Sequence, residues 1–203
     1  MKRERGQRGQ ALVEAALFVP VVFLLLFGTY DLSTWASDKV QSYSAVRHGV
    51  RIASQLGGIP NNPGFPTQVC SGTLPLGTSV TSIDAQIVQV VLAATANMSY
   101  VTLNEIDIYQ PGNADGSYVP GTDKANKYDG KGVLKPGGNF LLNQRCQGPL
   151  GASPKDTSVG VQLVWTYTAP NGLGFGRGPI TFANLKDYSV EKMQQCAGNC
   201  LPF

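Results

Sequence analysis

Histidine and charged residues are scarce in this chain, and their scarcity limits the chemistry it can perform. His48 is the single histidine among 203 residues, and Asp, Glu, Lys and Arg together make up 14%. The sequence also lacks a Gly-x-Ser-x-Gly nucleophile motif, a His-Glu-x-x-His zinc motif and a nucleotide-binding fingerprint. These absences predict a protein that is not an enzyme and that needs no metal or other cofactor.

Excess positive charge is missing everywhere except at the amino terminus. The formal net charge is +3, and residues 1–9 contribute four bases against one acid, which leaves twelve of each sign in residues 10–203. A nucleic-acid-binding protein would keep an excess of basic residues after residues 1–9 are left out of the count. The charge pattern therefore gives no support for nucleic acid as a partner.

An apolar run of about 20 residues follows the basic leader, which is long enough to cross a hydrocarbon core of about 30 Å as a helix. It is longer than the apolar core of roughly 7 to 15 residues in a secretory signal peptide. Because basic residues stay on the cytoplasmic side, the chain beyond the run is predicted to be exported. The expected divisions are a cytoplasmic leader (1–9), a transmembrane helix (10–30), its exported continuation (31–57) and an exported domain (58–203).

Glu14 is the one acid inside this apolar run, and it is the fifth residue after Gly9. The stretch Gly9-Gln10-Ala11-Leu12-Val13-Glu14 resembles the cleavage region of type IV prepilins, in which a dedicated peptidase cuts after a glycine and the fifth mature residue is glutamate. The resemblance implies cleavage between Gly9 and Gln10 and an assembly role for Glu14.

The wider amino-terminal sequence is similar to TadE-like proteins, the minor pseudopilins of the Flp/Tad (type IVb-like) pilus system. The similarity covers roughly the first 55 residues, with Ala15 standing where many relatives carry an aromatic residue; it lies in residues 8–14, 24–28 and 45–53 and in Asp31. It implies a bacterial inner-membrane protein in pilus assembly and adhesion. The implied partners are the prepilin-type peptidase, other pilins or pseudopilins and the assembly platform.

A physical argument gives Glu14 a partner. After cleavage, the new amino group of Gln10 lies within one helical turn of Glu14, or beside the Glu14 of a neighbouring subunit. Pairing a positive terminus with a buried carboxylate offsets the cost of burying both. The alternatives are that Glu14 is protonated or that its side chain reaches the lipid headgroups.

The four cysteines lie beyond the apolar run, on the side where disulfides persist. Four cysteines allow three connectivities: one closes a small loop between Cys196 and Cys200 and joins Cys70 to Cys146, and the crossed pairings are equally allowed. Zinc is disfavoured, because His48 lies on a different element and no close Cys-x-x-Cys pair occurs.

Periodicity predicts an α+β fold, with a long amino-terminal helix, a second helix and an antiparallel sheet. The first helix extends to Gly57-Gly58, with one apolar face formed by Leu32, Trp35, Ala36, Val40, Tyr43, Val46, Val50 and Ala53. A second helix is expected from a capping residue at 81–84 to about Asn97. Strands are expected at 100–109, with an irregularity near Asn104, and at 159–168 and 187–194.

Residues 111–158 have little periodicity and many turn formers, so they are interpreted as a long loop. Asp115, Asp123 and Asp129 suggest calcium, but lysines alternate with them and no twelve-residue ligand pattern appears. A solvated loop is the preferred interpretation of this segment.

Three functional hypotheses are therefore considered. The first is a minor pilin or pseudopilin that takes part in assembly of a Tad-like pilus. The second is a membrane-anchored periplasmic binding domain, and the third an anchored hydrolase. Leader cleavage after Gly9 distinguishes the first, an intact amino terminus the second, and two convergent catalytic groups the third.

Overall fold

The computed structural model describes residues 4–56, 80–140, 158–172 and 178–193. These described residues form two helices and four strands, in chain order α1 (Glu4–Leu56), α2 (Val80–Thr95), β1 (Val101–Tyr109), β2 (Ala125–Asp129), β3 (Ser158–Ala169) and β4 (Ile180–Lys192). This arrangement confirms the predicted α+β class. All four cysteines lie outside the described residues, so their pairing stays a prediction.

Helix α1 is a single element of 53 residues that continues through Pro20. At about 1.5 Å per residue it is about 80 Å long, more than twice the thickness of a hydrocarbon core. Its second half packs on the sheet and on α2, while its first half packs on nothing among the described residues. The predicted long helix with two environments is confirmed.

The sheet has the strand order β2-β1-β3-β4, and every pair is antiparallel. Strand β3 lies in the interior of the sheet and is buried over most of its length, as its β-branched and aromatic composition predicts. The irregularity expected near Asn104 is present as a register shift between Leu103 and Glu105.

Two sequence-based predictions about strands were wrong in extent. Strand β2 lies inside residues 111–158, which were expected to form a loop; it is short and polar, and pairing with β1 holds it in place. Strand β4 begins seven residues before the predicted 187. A positive φ of 57° at Asn184 and a register shift opposite Trp165 and Tyr167 break the alternation there. Helix α2 also begins slightly early, at Val80, so the proposed capping residues lie within its first turns.

The hydrophobic core lies between the two helices and one face of the sheet. Its fully buried members include Val46 and Val50 of α1, Ile87 and Val91 of α2, and residues of β1 and β3. The face predicted for α1 is correct only in this distal part. Between residues 31 and 43 the large apolar side chains point outward, with Leu32 55% and Val40 70% exposed, while polar side chains of α1 face the sheet.

Candidate functional site

The amino-terminal part of α1 is apolar on all sides. Large hydrophobic side chains from Leu12 to Phe27 are exposed around the helix, and the most apolar 18-residue window has a mean hydropathy of 2.5 with none of it buried. The core helix of a soluble protein would be covered by other elements. Length and composition make this segment a candidate membrane span.

Gly9, Gln10 and Glu14 lie on the first turns of this helix. The Gln10 Nε2 amide donates to Glu14 Oε1 over 3.0 Å, so a group at position 10 reaches the carboxylate one turn away. Glycine weakens a helix interior by about 1 kcal/mol relative to alanine, so Gly9 lowers the local stability of the uncut helix. These contacts are compatible with the predicted cleavage and pairing, which stay predictions.

Just beyond the apolar segment, α1 faces the sheet with polar groups. The Tyr167 hydroxyl donates to the Asp31 carbonyl oxygen over 3.0 Å and lies 2.7 Å from Thr34 Oγ1. The Asn171 Nδ2 amide donates to the Asp31 carboxylate over 2.9 Å. The carboxyl-terminal end of β3 is thereby tied to the point where α1 leaves its apolar segment.

Asp187 of β4 joins the next turns of α1 to the sheet. The Lys39 ammonium and the Ser42 hydroxyl both donate to its carboxylate, and the Trp165 indole Nε1 donates to Oδ2 over 2.9 Å. Asp187 is only 6% exposed. One buried carboxylate thus holds donors from α1 and β3, and hydrogen bonds to a charged group are stronger than neutral ones.

Asp38 completes this polar interface on the side of α2. Its Oδ1 accepts a hydrogen bond from the Ser99 backbone N–H over 2.9 Å, whereas its Oδ2 has no partner among the described residues. Burial raises the pKa of Asp38, and the Ser99 hydrogen bond counters part of that rise. We call residues Asp31, Thr34, Asp38, Lys39 and Ser42 of α1 the polar seam. Sequence reasoning missed it, although Asp31, Thr34, Asp38 and Ser42 recur at steps of three and four.

A second charged cluster lies on the sheet face that points away from α1. Lys127 and Lys135 both bind the Glu105 carboxylate, and Lys127 Nζ lies 3.7 Å from Asp107 Oδ1. Burial alone would raise the pKa of Glu105, but the hydrogen bonds from the two lysines lower it to about 2. Burial, followed by the charge of Glu105, raises the pKa of Asp107 to about 7.

The aspartates considered for calcium have structural roles in turns. Asp123 accepts the backbone N–H groups of Gly112 and Val119, over 3.1 and 2.8 Å. Asp129 and Asp115 accept backbone N–H groups two to four residues ahead of them. In the part of the chain that the structure describes, no group of three His, Cys, Asp or Glu side chains could hold a metal ion. The contacts of Asp115 and Asp129 with the backbone two residues ahead are typical of Asx turns.

Comparison with known proteins bears on the amino-terminal segment. Residues 9–51 match the family model described as TadE-like protein. The match begins at Gly9, includes Glu14 and the whole apolar segment, and ends within the part of α1 that packs on the sheet. No curated protein and no solved structure matches the chain. The resemblance to TadE-like proteins is therefore confirmed for residues 9–51.

Proposed function

We propose that this protein is a minor pilin or pseudopilin that takes part in assembly of a Tad-like pilus after prepilin-type cleavage between Gly9 and Gln10. One observation carries the proposal: the segment that matches the TadE-like family is the same segment that forms an uncovered apolar helix with Glu14 on its first turns. The role is structural, so it requires neither catalysis nor a cofactor.

In this proposal α1 holds the protein in the bacterial inner membrane with the leader in the cytoplasm. The second helix and the sheet (α2 and β1–β4), which we call the folded part, lie in the periplasm. The basic residues of the leader support this orientation. The partners are the prepilin-type peptidase, other pilins or pseudopilins and the assembly platform proteins. The folded part, tied to α1 by the polar seam, supplies a contact surface in a fixed orientation, which also supports a contribution to adhesion.

Glu14 has opposite effects on the single helix and on the assembly. An ionised carboxylate in lipid costs several kcal/mol when it stands alone. In the assembled state it pairs with the amino group of Gln10 in a neighbouring subunit, and breaking a buried pair costs roughly 3 to 5 kcal/mol. Assembly is therefore the state in which Glu14 is stabilising.

Cleavage is tested by determining the amino terminus of protein extracted from native membranes. We expect the mature chain to begin at Gln10, and Gly9→Leu to block the cut. Gly6→Leu is the matched control, because Gly6 lies in the same leader but not at the expected bond. A native chain that begins at Met1 would refute the proposal and favour a membrane-anchored binding domain, and a start beyond Tyr30 would refute the retained anchor.

The role of Glu14 is tested by complementing a null strain and scoring both membrane abundance and surface pili. We expect Glu14→Ala to insert normally, or better, and to give no pili. Glu14→Gln keeps the size and the hydrogen bond from Gln10 but removes the charge, so it should fail in the same way. Normal pili in both variants would show that the charge has no assembly role.

A further inference from the structure

Three aromatic side chains lie at the end of the folded part where α1 leaves its apolar segment. Tyr30 immediately precedes Asp31, and the Thr168 backbone N–H donates to the Tyr100 carbonyl oxygen over 2.9 Å. Phe182 is the strand partner of Tyr167, which binds Asp31 and Thr34. We call Tyr30, Tyr100 and Phe182 the aromatic collar.

The collar lies at the level where a bilayer spanned by α1 would end. Residues 10–30 cover about 31 Å of helix, which matches a hydrocarbon core of about 30 Å. Tyr167 binds α1 between Asp31 and Thr34, a rise of about 5 Å, which is comparable to the thickness of one headgroup layer. The end of the sheet is therefore held at headgroup depth by contacts within the protein.

Folding alone gives the collar no benefit from exposing large rings. Tyr30 is 50% exposed, Tyr100 47% and Phe182 39%. Tyr100 also has a φ of 56°, a left-handed conformation that bulky residues rarely adopt and that glycine or asparagine would occupy more easily. The side chain of Tyr30 is the main cause that raises the pKa of Tyr100, which places the two side chains near each other.

The aromatic collar extends to both sides of β3. Tyr100 precedes β1 and Phe182 belongs to β4, and these strands flank β3, on which α1 packs. Tyrosines such as Tyr30 and Tyr100 are enriched at membrane–water interfaces, where the apolar ring and the hydroxyl are both satisfied, and Phe182 adds apolar area beside them. Contacts on both sides of β3 would oppose tilting of the folded part about the helix.

We infer that the aromatic collar is a lipid-contacting surface, which seats the folded part on the headgroup layer of the same bilayer that α1 spans. The partner is phospholipid at the outer boundary of that membrane. This inference rests on the proposed membrane anchoring but not on leader cleavage or on pilus assembly. It makes the folded part a body of fixed orientation on the membrane before any other subunit binds.

Quenching by brominated acyl chains in proteoliposomes tests the inference on the full chain. The background variant is Trp35→Phe, which leaves Trp165 fully buried as a constant signal. Tyr100→Trp and Phe182→Trp are the test variants, and Leu26→Trp reports insertion of the helix. Ala114→Trp is the distal control: it is exposed and lies two residues before Gly116, which packs against Val190 at the far end of β4.

We expect bromolipid to reduce the emission of tryptophan at positions 26, 100 and 182 and to leave position 114 unchanged. Quenching at 26 without quenching at 100 and 182 overturns the inference but leaves the anchor intact. No quenching at 26 overturns both the inference and the proposed anchoring. If the emission at 100 and 182 shifts to the blue only as the protein-to-lipid ratio rises, without quenching, the collar contacts a second copy and the inference is wrong.

Discussion

The part of α1 that packs on the sheet divides into two halves that use different chemistry. From Asp31 to Ser42, the sheet side of the helix is polar, and its contacts are hydrogen bonds to Tyr167, Asn171 and Asp187. From Ala45 to Ala53, the sheet side consists of small apolar residues, all at most 2% exposed. Both halves contact the same sheet, so the difference follows the distance from the apolar segment.

Location explains the difference. In the proposed membrane-anchored state, an apolar sheet-facing side directly beyond the apolar segment could bury its surface in lipid as easily as against the sheet. Polar groups gain nothing from lipid and are satisfied only by their protein partners. The half of α1 nearest the membrane therefore selects the folded arrangement, and the distal half, which lipid cannot reach, supplies hydrophobic stabilisation.

The largest expected effect is at Asp107, a buried carboxylate that lies outside both halves of α1. It tests whether every buried acid in this fold is stabilised in its charged form. Its pKa of about 7 exceeds the unfolded value of 3.8, so the folded chain holds an extra proton between those values. Its stabilisation is complete below about pH 4 and is lost as pH rises through about 7. We expect Asp107→Asn to be more stable at pH 8 by up to about 4 kcal/mol, at about 1.4 kcal/mol per unit of pKa.

The measurement is urea unfolding of the full chain in detergent from pH 4 to pH 8. The variant and the parent should coincide at pH 4 and diverge as pH rises. Asp115→Asn, an exposed aspartate, is the control and should change little across the range. Parallel stability curves for Asp107→Asn and its parent would contradict the assigned titration.

The same substitution at Asp187 should have the opposite sign. The new amide would present an NH₂ group to donors from Lys39, Ser42 and Trp165, so at least one hydrogen bond to a buried charge is lost. We expect Asp187→Asn to lower the free energy of unfolding, measured by the same urea titration, by about 2 to 3 kcal/mol. Lys39 is 40% exposed and contributes little of this loss. A stabilised variant would mean that the polar half is held by other contacts.

The distal half is tested by adding one carbon at Gly49. A Cβ there would lie 2.6 Å from Val91 Cγ2 and 3.4 Å from Val161 Cγ1. Overpacking costs typically 1 to 3 kcal/mol, partly offset by the helix propensity of alanine, so we expect Gly49→Ala to cost about 1 to 2 kcal/mol. Val91→Ala should cost less in the Gly49→Ala background than in the parent, because the added methyl group fills part of the space that it leaves. Additive effects in the double variant, measured by urea unfolding, would show that the two sites do not touch.

The smallest expected effect is at Tyr100, next to the polar half. Glycine adopts a positive φ without strain, so we expect Tyr100→Gly to raise the free energy of unfolding in detergent by about 1 kcal/mol or less. Tyr100→Phe keeps the strain and removes only the hydroxyl, so it should not be stabilising. Destabilisation by Tyr100→Gly would indicate that the exposed ring serves the fold.

Sequence periodicity was sufficient to predict an element where one kind of packing dominates it. The run of apolar residues predicted α1, and alternating β-branched and aromatic residues predicted β3. It failed where tertiary contacts decide: β2 is a polar pentapeptide held by β1, with Asn126 Nδ2 bonded to Asp84 and to the Phe140 carbonyl. It also assigned Leu32 and Val40 to the core, because hydrophobicity alone does not reveal that Asp31 and Asp38 have partners in the folded part.

In the proposed membrane-anchored state, Asp31 also limits how much of α1 a membrane can accept. A helix with a longer apolar run than the bilayer is thick can slide, tilt or stretch the lipid at a small cost per ångström. Here the run ends at an aspartate whose carboxylate is held by Asn171, just beyond the end of β3. Drawing one more turn of α1 into the lipid would require breaking that bond and dragging the end of β3 with it. The depth of insertion is thus specified by the folded part, and membranes of different thickness would hold the protein at the same residue.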